Sequence, residues 1–181
     1  MSIDQVTAHR PGIADPVTPD DDLSFEQLAA RYNYNTTSDR RRVLVRLIHK
    51  EIARRRRSVT VLDVGCGTGI SEEPGVGVEY LRAVRQQVDC LWGIEPDTSI
   101  QPTHGLLDHF QHATLETADL PADHFDVAYS YFVMEHVDDP DSFLAAMYRC
   151  LKPGGSYLFM TPNGRHYFCR IAGLLRTCRM D

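Results

Sequence analysis

The apolar positions of this chain switch between two rhythms. Residues 59–64 read VTVLDV, a short run rich in β-branched side chains, which predicts a central parallel strand buried on both faces. Similar runs at residues 91–95 (LWGIE), 124–130 (HFDVAYS) and 156–161 (SYLFMT) predict further strands. Residues 110–115 read as another strand, with a short helix over 104–110 as the alternative for that region. Between the strands the apolar spacing lengthens to three and four. Leu44, Leu47, Ile48 and Ile52 predict the sheet-facing stripe of a helix over residues 39–56, capped by Ser38. Leu81, Val84, Arg85 and Val88 do the same for residues 78–88. Phe143, Leu144, Met147 and Leu151 mark a helix opened by Asp139 and Pro140 and ended by Lys152-Pro153-Gly154-Gly155.

The flanks carry less pattern. Residues 1–23 are polar, with Pro11, Pro16, Pro19 and three consecutive acids, and predict a mobile tail. Ser24-Phe25-Glu26-Gln27 fits a capping box that opens a short helix to about residue 31. Tyr32-Asn33-Tyr34-Asn35 reads as a polar-aromatic loop. Pro74 and Gly75 predict a long loop before the helix that follows the first strand. Residues 162–164 read as a turn and 167–176 as a helix. One domain is expected over residues 24–181.

Strands alternating with helices predict an α/β fold with a doubly wound, mostly parallel sheet, because crossovers between parallel strands are right-handed. The carboxyl ends of the strands then share one edge. Asp63, Gly65, Gly67, Glu95, Glu116 and Ser130 come to that edge from separate strands or the loops just after them. Gly65-Cys66-Gly67-Thr68-Gly69 is a turn in which glycine allows a left-handed backbone and close approach of a ligand. A nucleotide-like ligand over the strand-to-turn junction follows. The third glycine comes one residue earlier than in the dinucleotide pattern G-x-G-x-x-G.

Bulk properties narrow the partners. At 181 residues and 43% hydrophobic, the chain can build one sizeable core. Its formal net charge of −6 gives no reason to expect nucleic acid. The arginine clusters at 40–42 and 54–57 read as solvated charge at the two ends of a helix, the second complementing the helix dipole. Cys66, Cys90, Cys150, Cys169 and Cys178 form no C-x-x-C, which suits a reduced cytoplasmic protein. No apolar leader or membrane-spanning run is visible, so no membrane partner is expected. His109 and His112 have the spacing of a metal pair, but no third ligand stands close in sequence. They read as surface histidines, and no metal is expected.

Four stretches, LDVGCGTG, GIEPD, FDVAYSYFVMEHVDDP and LKPGGSYLFMTPN, resemble those of class I S-adenosylmethionine-dependent methyltransferases. The similarity is to the group related to ubiquinone and menaquinone biosynthesis enzymes (methyltransferase type 11). It spans roughly residues 62–163 and implies a Rossmann-like fold, S-adenosylmethionine as cofactor and S-adenosylhomocysteine as product. By position it implies that Asp63, Gly65, Cys66 and Gly67 cradle the methionine part, with the Asp63 carboxylate facing its ammonium. Glu95 would accept from both ribose hydroxyls, and Pro96 and Asp97 would flank the adenine. Glu116, in the stretch LETADLP, would meet the adenine amino group, while Asp119 reads as a turn acid. Ser130 and Tyr131 would sit by the sulfonium. His136 is the candidate general base, with a structural histidine at a helix start as the alternative, and Glu135 reads as a local hydrogen-bond acceptor. The loop at 32–35 could serve as a lid over the cofactor or as plain surface.

The resemblance also implies an antiparallel strand pair after the fifth strand, where this sequence reads as helix. The sheet would then have an open edge, and the chain reads as a truncated form, a minimal variant or half of an assembly in which a second copy covers that edge. The function implied is methyl transfer to a small-molecule acceptor, oxygen being the first choice of acceptor atom and carbon or nitrogen the others. Two alternatives stand beside it. One is a non-catalytic S-adenosylmethionine-binding or scaffold protein. The other is an NAD-dependent oxidoreductase, against which the glycine spacing and LKPGG speak.

Overall fold

The computed structural model describes residues 37–55, 57–70, 76–103 and 105–162. Its elements run α1 (Thr37–Ala53), β1 (Thr60–Val64), α2 (Val76–Arg85), β2 (Cys90–Ile94), β3 (His109–Gln111), β4 (Phe125–Tyr131), α3 (Pro140–Cys150) and β5 (Leu151–Met160). A 3-10 turn, Met134–His136, follows β4. The strands form one sheet in the order β3-β2-β1-β4-β5, with every pairing parallel. β1 is central, and the winding reverses between it and β4, which opens a crevice at their carboxyl ends. This is the doubly wound, Rossmann-like arrangement that the strand–helix alternation predicts.

Side-chain alternation along the strands divides the core in two. Val59, Val61, Val127 and Tyr129 pack with Leu44, Ile48 and Ile52 of α1 and Tyr80, Leu81 and Val84 of α2. Leu62, Val64, Ile94 and Ala128 pack with Phe143 and Met147 of α3. Each fully buried aliphatic or aromatic side chain contributes about 1.5–3 kcal/mol of transfer free energy. Both faces of β1 are thereby committed, and its last residues are held without play.

Several local expectations are corrected. α1 starts at Thr37, so Ser38 lies inside the helix rather than capping it, and Leu47 is only half buried. Arg85 does not join the inner face of α2: its guanidinium donates to the Val88 carbonyl (2.9 Å) and to Asp108 (3.1 Å). Tyr80 takes the buried place instead. On α3 the inner residues are Phe143, Met147 and Cys150, while Leu144 is 47% exposed. Asp139 caps that helix through the Ser142 amide, and Pro140 occupies its first turn as expected.

β3 is shorter than its expected 110–115, because the Thr117 and Ala118 amides both donate back to the Thr114 carbonyl and curl the chain. Residues 105–108, just before it, form no helix. Asp108 instead docks on β2, its amide donating to the Leu91 carbonyl and its carboxylate accepting from the Leu91 amide. The largest correction concerns Lys152-Pro153-Gly154-Gly155. These residues do not end α3, which stops at Cys150; they form an excursion inside β5. Leu151 pairs with Phe125 and Ser156 with Val127, so five steps on β5 match two on β4. Asp126, opposite the excursion, explains it. Its buried carboxylate accepts from Lys152 (2.7 Å), Arg57 (2.7 Å) and the Thr60 amide (3.0 Å).

That cluster also changes the picture of the second arginine group. Arg57 pairs with Asp126, and Arg55 binds Glu51 and the Ser156 hydroxyl, so these two arginines tie the chain after α1 to the sheet, while Arg54 and the outer part of Arg57 stay in solvent as expected. The expected tail at 1–23, the capping box at 24–27, the loop at 32–35 and the helix at 167–176 lie outside the described residues. Among the described residues no helix is long and apolar enough to cross a membrane.

Candidate functional site

The site is built where β1 stops. Gly65 has φ +66° and Gly67 φ +53°, so the turn after Val64 uses a left-handed backbone at two points that only glycine adopts without strain. The amides of Gly65 and Cys66 both donate to the Ile94 carbonyl, at 2.9 and 3.0 Å, which fixes the turn to the end of β2. Glu95 follows Ile94 directly. Its Oε2 accepts from the Gly67 amide and its Oε1 from the Asp97 amide, each at 3.0 Å. A carboxylate oxygen has two lone pairs, so both oxygens keep accepting capacity toward a ligand. Glu95 is 8% exposed, an acid held nearly inside the protein by backbone donors at a strand end.

Asp63 is the last acid before the turn and is 2% exposed. The Tyr129 hydroxyl donates to its Oδ2 at 2.7 Å. Burial pushes the Asp63 carboxyl up to about 7; the Tyr129 hydrogen bond opposes that shift and the charge of Glu95 adds to it. The Cys66 thiol is also pushed up by burial, so it stays a neutral packing group. Its sulfur fills the space beside Gly93, where a Cβ would come within 3.0 Å of it.

The neighbouring segments converge on the same edge. Gln111 clasps the backbone of Asp119 with both ends of its amide, each at 2.9 Å, and so draws residues 112–119 to the end of β3. Leu115 is buried under that segment while Glu116 is exposed. His112 Nδ1 lies 3.3 Å from the Glu95 carbonyl oxygen, whereas the His109 ring stacks on Trp92 at 4.1 Å. The two histidines thus serve separate contacts, and among the described residues no group of three potential ligands is assembled for a metal. After β4 the chain turns at Phe132 (φ +56°), whose amide donates to the Met160 carbonyl. Val133 then packs on Gly65.

A sequence profile for the methyltransferase domain matches residues 36–180. The chain belongs to the methyltransferase-domain family. Among curated relatives, a ubiquinone biosynthesis O-methyltransferase of Ruegeria pomeroyi is 37% identical over 106 residues, covering 57% of this chain and 41% of that protein. One from Escherichia coli is 32% identical over 127 residues, covering 66% and 50%. The chain spans about half the length of the curated relatives it matches. In fold it is similar to the plantazolicin methyltransferase BpumL, with a TM-score of 0.58 at 16% identity over 81% of this chain and 56% of that one. It is similar also to an S-adenosylmethionine-dependent methyltransferase from Mesorhizobium loti, with a TM-score of 0.51 at 21% identity over 70% and 54%. The resemblance carried by the four sequence motifs is borne out, and so is the fold.

Within this methyltransferase domain the residues singled out by sequence divide by geometry. Asp63, Gly65, Cys66, Gly67, Glu95 and Asp97 are joined by direct contacts or successive backbone positions. Pro96, next in line, is exposed beside them. Ser130 and Tyr131 stand on opposite faces of β4. The Ser130 hydroxyl is fully buried and shares a 2.7 Å hydrogen bond with Tyr157, while Tyr131 faces α1, with the Arg41 guanidinium 5.9 Å from its ring centre. His136 is exposed at the end of the 3-10 turn, and Glu135 accepts from Thr161 at 3.1 Å, the local role expected of it.

Three residues that brace this candidate site escape a reading by motif: Tyr129, Gln111 and Val133. Tyr129 had a usable signal. A tyrosine inside a strand buried on both faces needs a partner for its hydroxyl, and the polar neighbour on the adjacent strand is Asp63.

Proposed function

We propose that the chain binds S-adenosylmethionine at the carboxyl edge of β1 and β2 and transfers its methyl group to an oxygen of a small-molecule acceptor, in the cytoplasm. The observation that carries this reading is the Glu95 carboxylate, which joins the glycine turn and the loop after β2 into one unit by accepting from Gly67 and Asp97. The donor set fits the cofactor. A strand-end carboxylate with spare lone pairs suits two ribose hydroxyls, the left-handed turn at Gly65 and Gly67 would present backbone to the methionine part, and Asp63 offers a negative charge to its ammonium. Pro96 and Asp97 would border the adenine, with Glu116 at its amino group. Tyr131 would lie toward the sulfonium, while Ser130, whose buried hydroxyl is shared with Tyr157 on the opposite face, would hold the strand end beneath it.

The chemistry supplied by bound S-adenosylmethionine is a methyl group already activated for in-line displacement. What remains for this chain is to orient the two reactants and exclude water, which is where proximity contributes most. An acceptor hydroxyl must also lose a proton, and His136, on the turn that packs against Gly65, is the residue proposed to take it. The oxygen acceptor is supported by the names of the curated relatives, which are O-methyltransferases.

The test is calorimetry with S-adenosylmethionine, S-adenosylhomocysteine and NAD, followed by a methyl-transfer screen on phenolic and other hydroxylated acceptors. Binding of the first two without NAD, and methylated product, are expected. Tight NAD binding with no response to S-adenosylhomocysteine overturns the reading. Cofactor affinity with no methylated product would leave the binding module in its place.

A further inference from the structure

Asp63 has an unusual setting for an acid at a ligand edge. Among the described residues it makes no ion pair, although Asp126 at the other end of the neighbouring strand makes two. Its side-chain partner is the phenol of Tyr129, itself fully buried. The two residues are Cα partners in the β1–β4 register, so their 2.7 Å hydrogen bond is set by the sheet and not by a loop. Among the described residues the groups that act on the Asp63 carboxyl are Tyr129 from β4 and Glu95 from the end of β2, with Cys66 beside it in the turn. The buried cation that α1 brings to this face of the sheet, Arg41, lies over Tyr131.

We propose that Tyr129 is a positioning residue of the cofactor site, holding the Asp63 carboxyl in line with the turn and controlling the proton that this carboxyl must lose when it meets the cationic amino end of the cofactor. The inference rests on the S-adenosylmethionine reading above. A buried carboxyl without a counter-ion is neutralised by a proton in preference to standing charged. The phenol lowers that tendency, because its single donor bonds the ionised form. A ligand ammonium supplies the missing positive charge and expels the proton. With the Asp63 carboxyl near 7, the sign follows: affinity rises with pH up to about neutrality and levels off above it. Removing the phenol moves that midpoint up, since the ionised form loses its donor.

The experiment is calorimetry of the full chain with S-adenosylhomocysteine from pH 5.5 to 8.5, in two buffers of different ionisation enthalpy. For the wild type, affinity should increase about tenfold per pH unit below the midpoint, with release of about one proton. Tyr129→Phe should shift the midpoint upward by about one unit, with affinity at the alkaline end recovering to within a few-fold. Asp63→Asn should bind weakly with no pH dependence across the range, and a pH dependence that survives in it overturns the proposal even if Tyr129→Phe does not fold. Carboxyl carbon NMR of the ligand-free wild type and Tyr129→Phe separates this proposal from the one beneath it. An Asp63 resonance that titrates at the same pH in both proteins overturns the Tyr129 role, whatever binds. A wild type that shows the NMR shift on mutation but binds no S-adenosylhomocysteine at any pH overturns the cofactor reading, and the recognition role with it.

Discussion

Val133 Cγ2 lies 2.5 Å from where a Cβ on Gly65 would stand. The contact joins the turn after β1, on which the cofactor reading depends, to the turn after β4, which carries His136. Gly65 is therefore constrained twice, by the φ of +66° and by a β-branched neighbour that cannot swing far aside.

Gly65→Ala should cost about 2–4 kcal/mol of stability, combining a left-handed alanine with overpacking against Val133. Urea unfolding measures this. Adding Val133→Ala should return part of the loss, because the overlap goes while the backbone strain remains. A double variant no more stable than Gly65→Ala would show that the overlap does not matter.

Glu95→Ala should weaken S-adenosylhomocysteine binding by about 2–3 kcal/mol, the scale of a lost charged acceptor. Two effects act together: the ligand loses its acceptor, and the Gly67 amide loses the bond that orders the turn. Glu95→Gln should lose less, since one oxygen can still accept. Calorimetry on the three folded proteins checks the order, and equal affinity in all three would remove Glu95 from the site.

The sequence pattern already contains the framework of this site, because burial dictates it. A β-branched run between glycines has few options besides a central strand, and once the strands are parallel their ends converge. Asp63, Gly65 and Glu95 were legible for that reason. What stays hidden depends on contacts distant in sequence. The excursion at Lys152-Pro153-Gly154-Gly155 reads locally as a helix stop; Asp126, 26 residues away, makes it part of a strand. Ser130 and Tyr131 are adjacent, and only the pleat separates their faces. Gln111 looks like an ordinary polar residue until Asp119 folds back on it.

Asp126→Asn should cost about 3 kcal/mol at neutral pH, as it leaves Lys152 and the Thr60 amide without their charged acceptor. Burial pushes this carboxyl up, but Lys152, the Thr60 amide and the charge of Arg57 outweigh it and hold it below the ordinary range. The stabilisation is thus present above about pH 4, the unfolded value, and is lost as pH falls through the lower folded value. The variant's stability should fall less steeply than the wild type's as pH drops below about 4. Denaturant midpoints against pH give the comparison, and parallel curves would contradict it. Because the cluster lies at the amino end of β4, affinity for S-adenosylhomocysteine should be unchanged.

His136→Ala tests whether this domain needs a base at all. The His136 amide donates to the Val133 carbonyl at 2.8 Å, so the turn that carries the ring is braced by the residue that touches Gly65. Its neighbour Glu135 is engaged with Thr161, which leaves the exposed imidazole as the group of this turn able to take a proton from an acceptor. The substitution removes no contact of the glycine turn, so S-adenosylhomocysteine affinity should stay within about twofold. Turnover should fall by roughly 10²-fold or more, the usual contribution of a positioned base. Raising the pH ionises a hydroxyl acceptor without help, and the deficit should then shrink. Orientation alone predicts otherwise: a small deficit, equal at every pH. A pH–rate profile of wild type and variant beside a binding isotherm therefore separates the two. Wild-type turnover in His136→Ala at neutral pH would assign the catalysis to proximity and leave His136 as a residue of the turn.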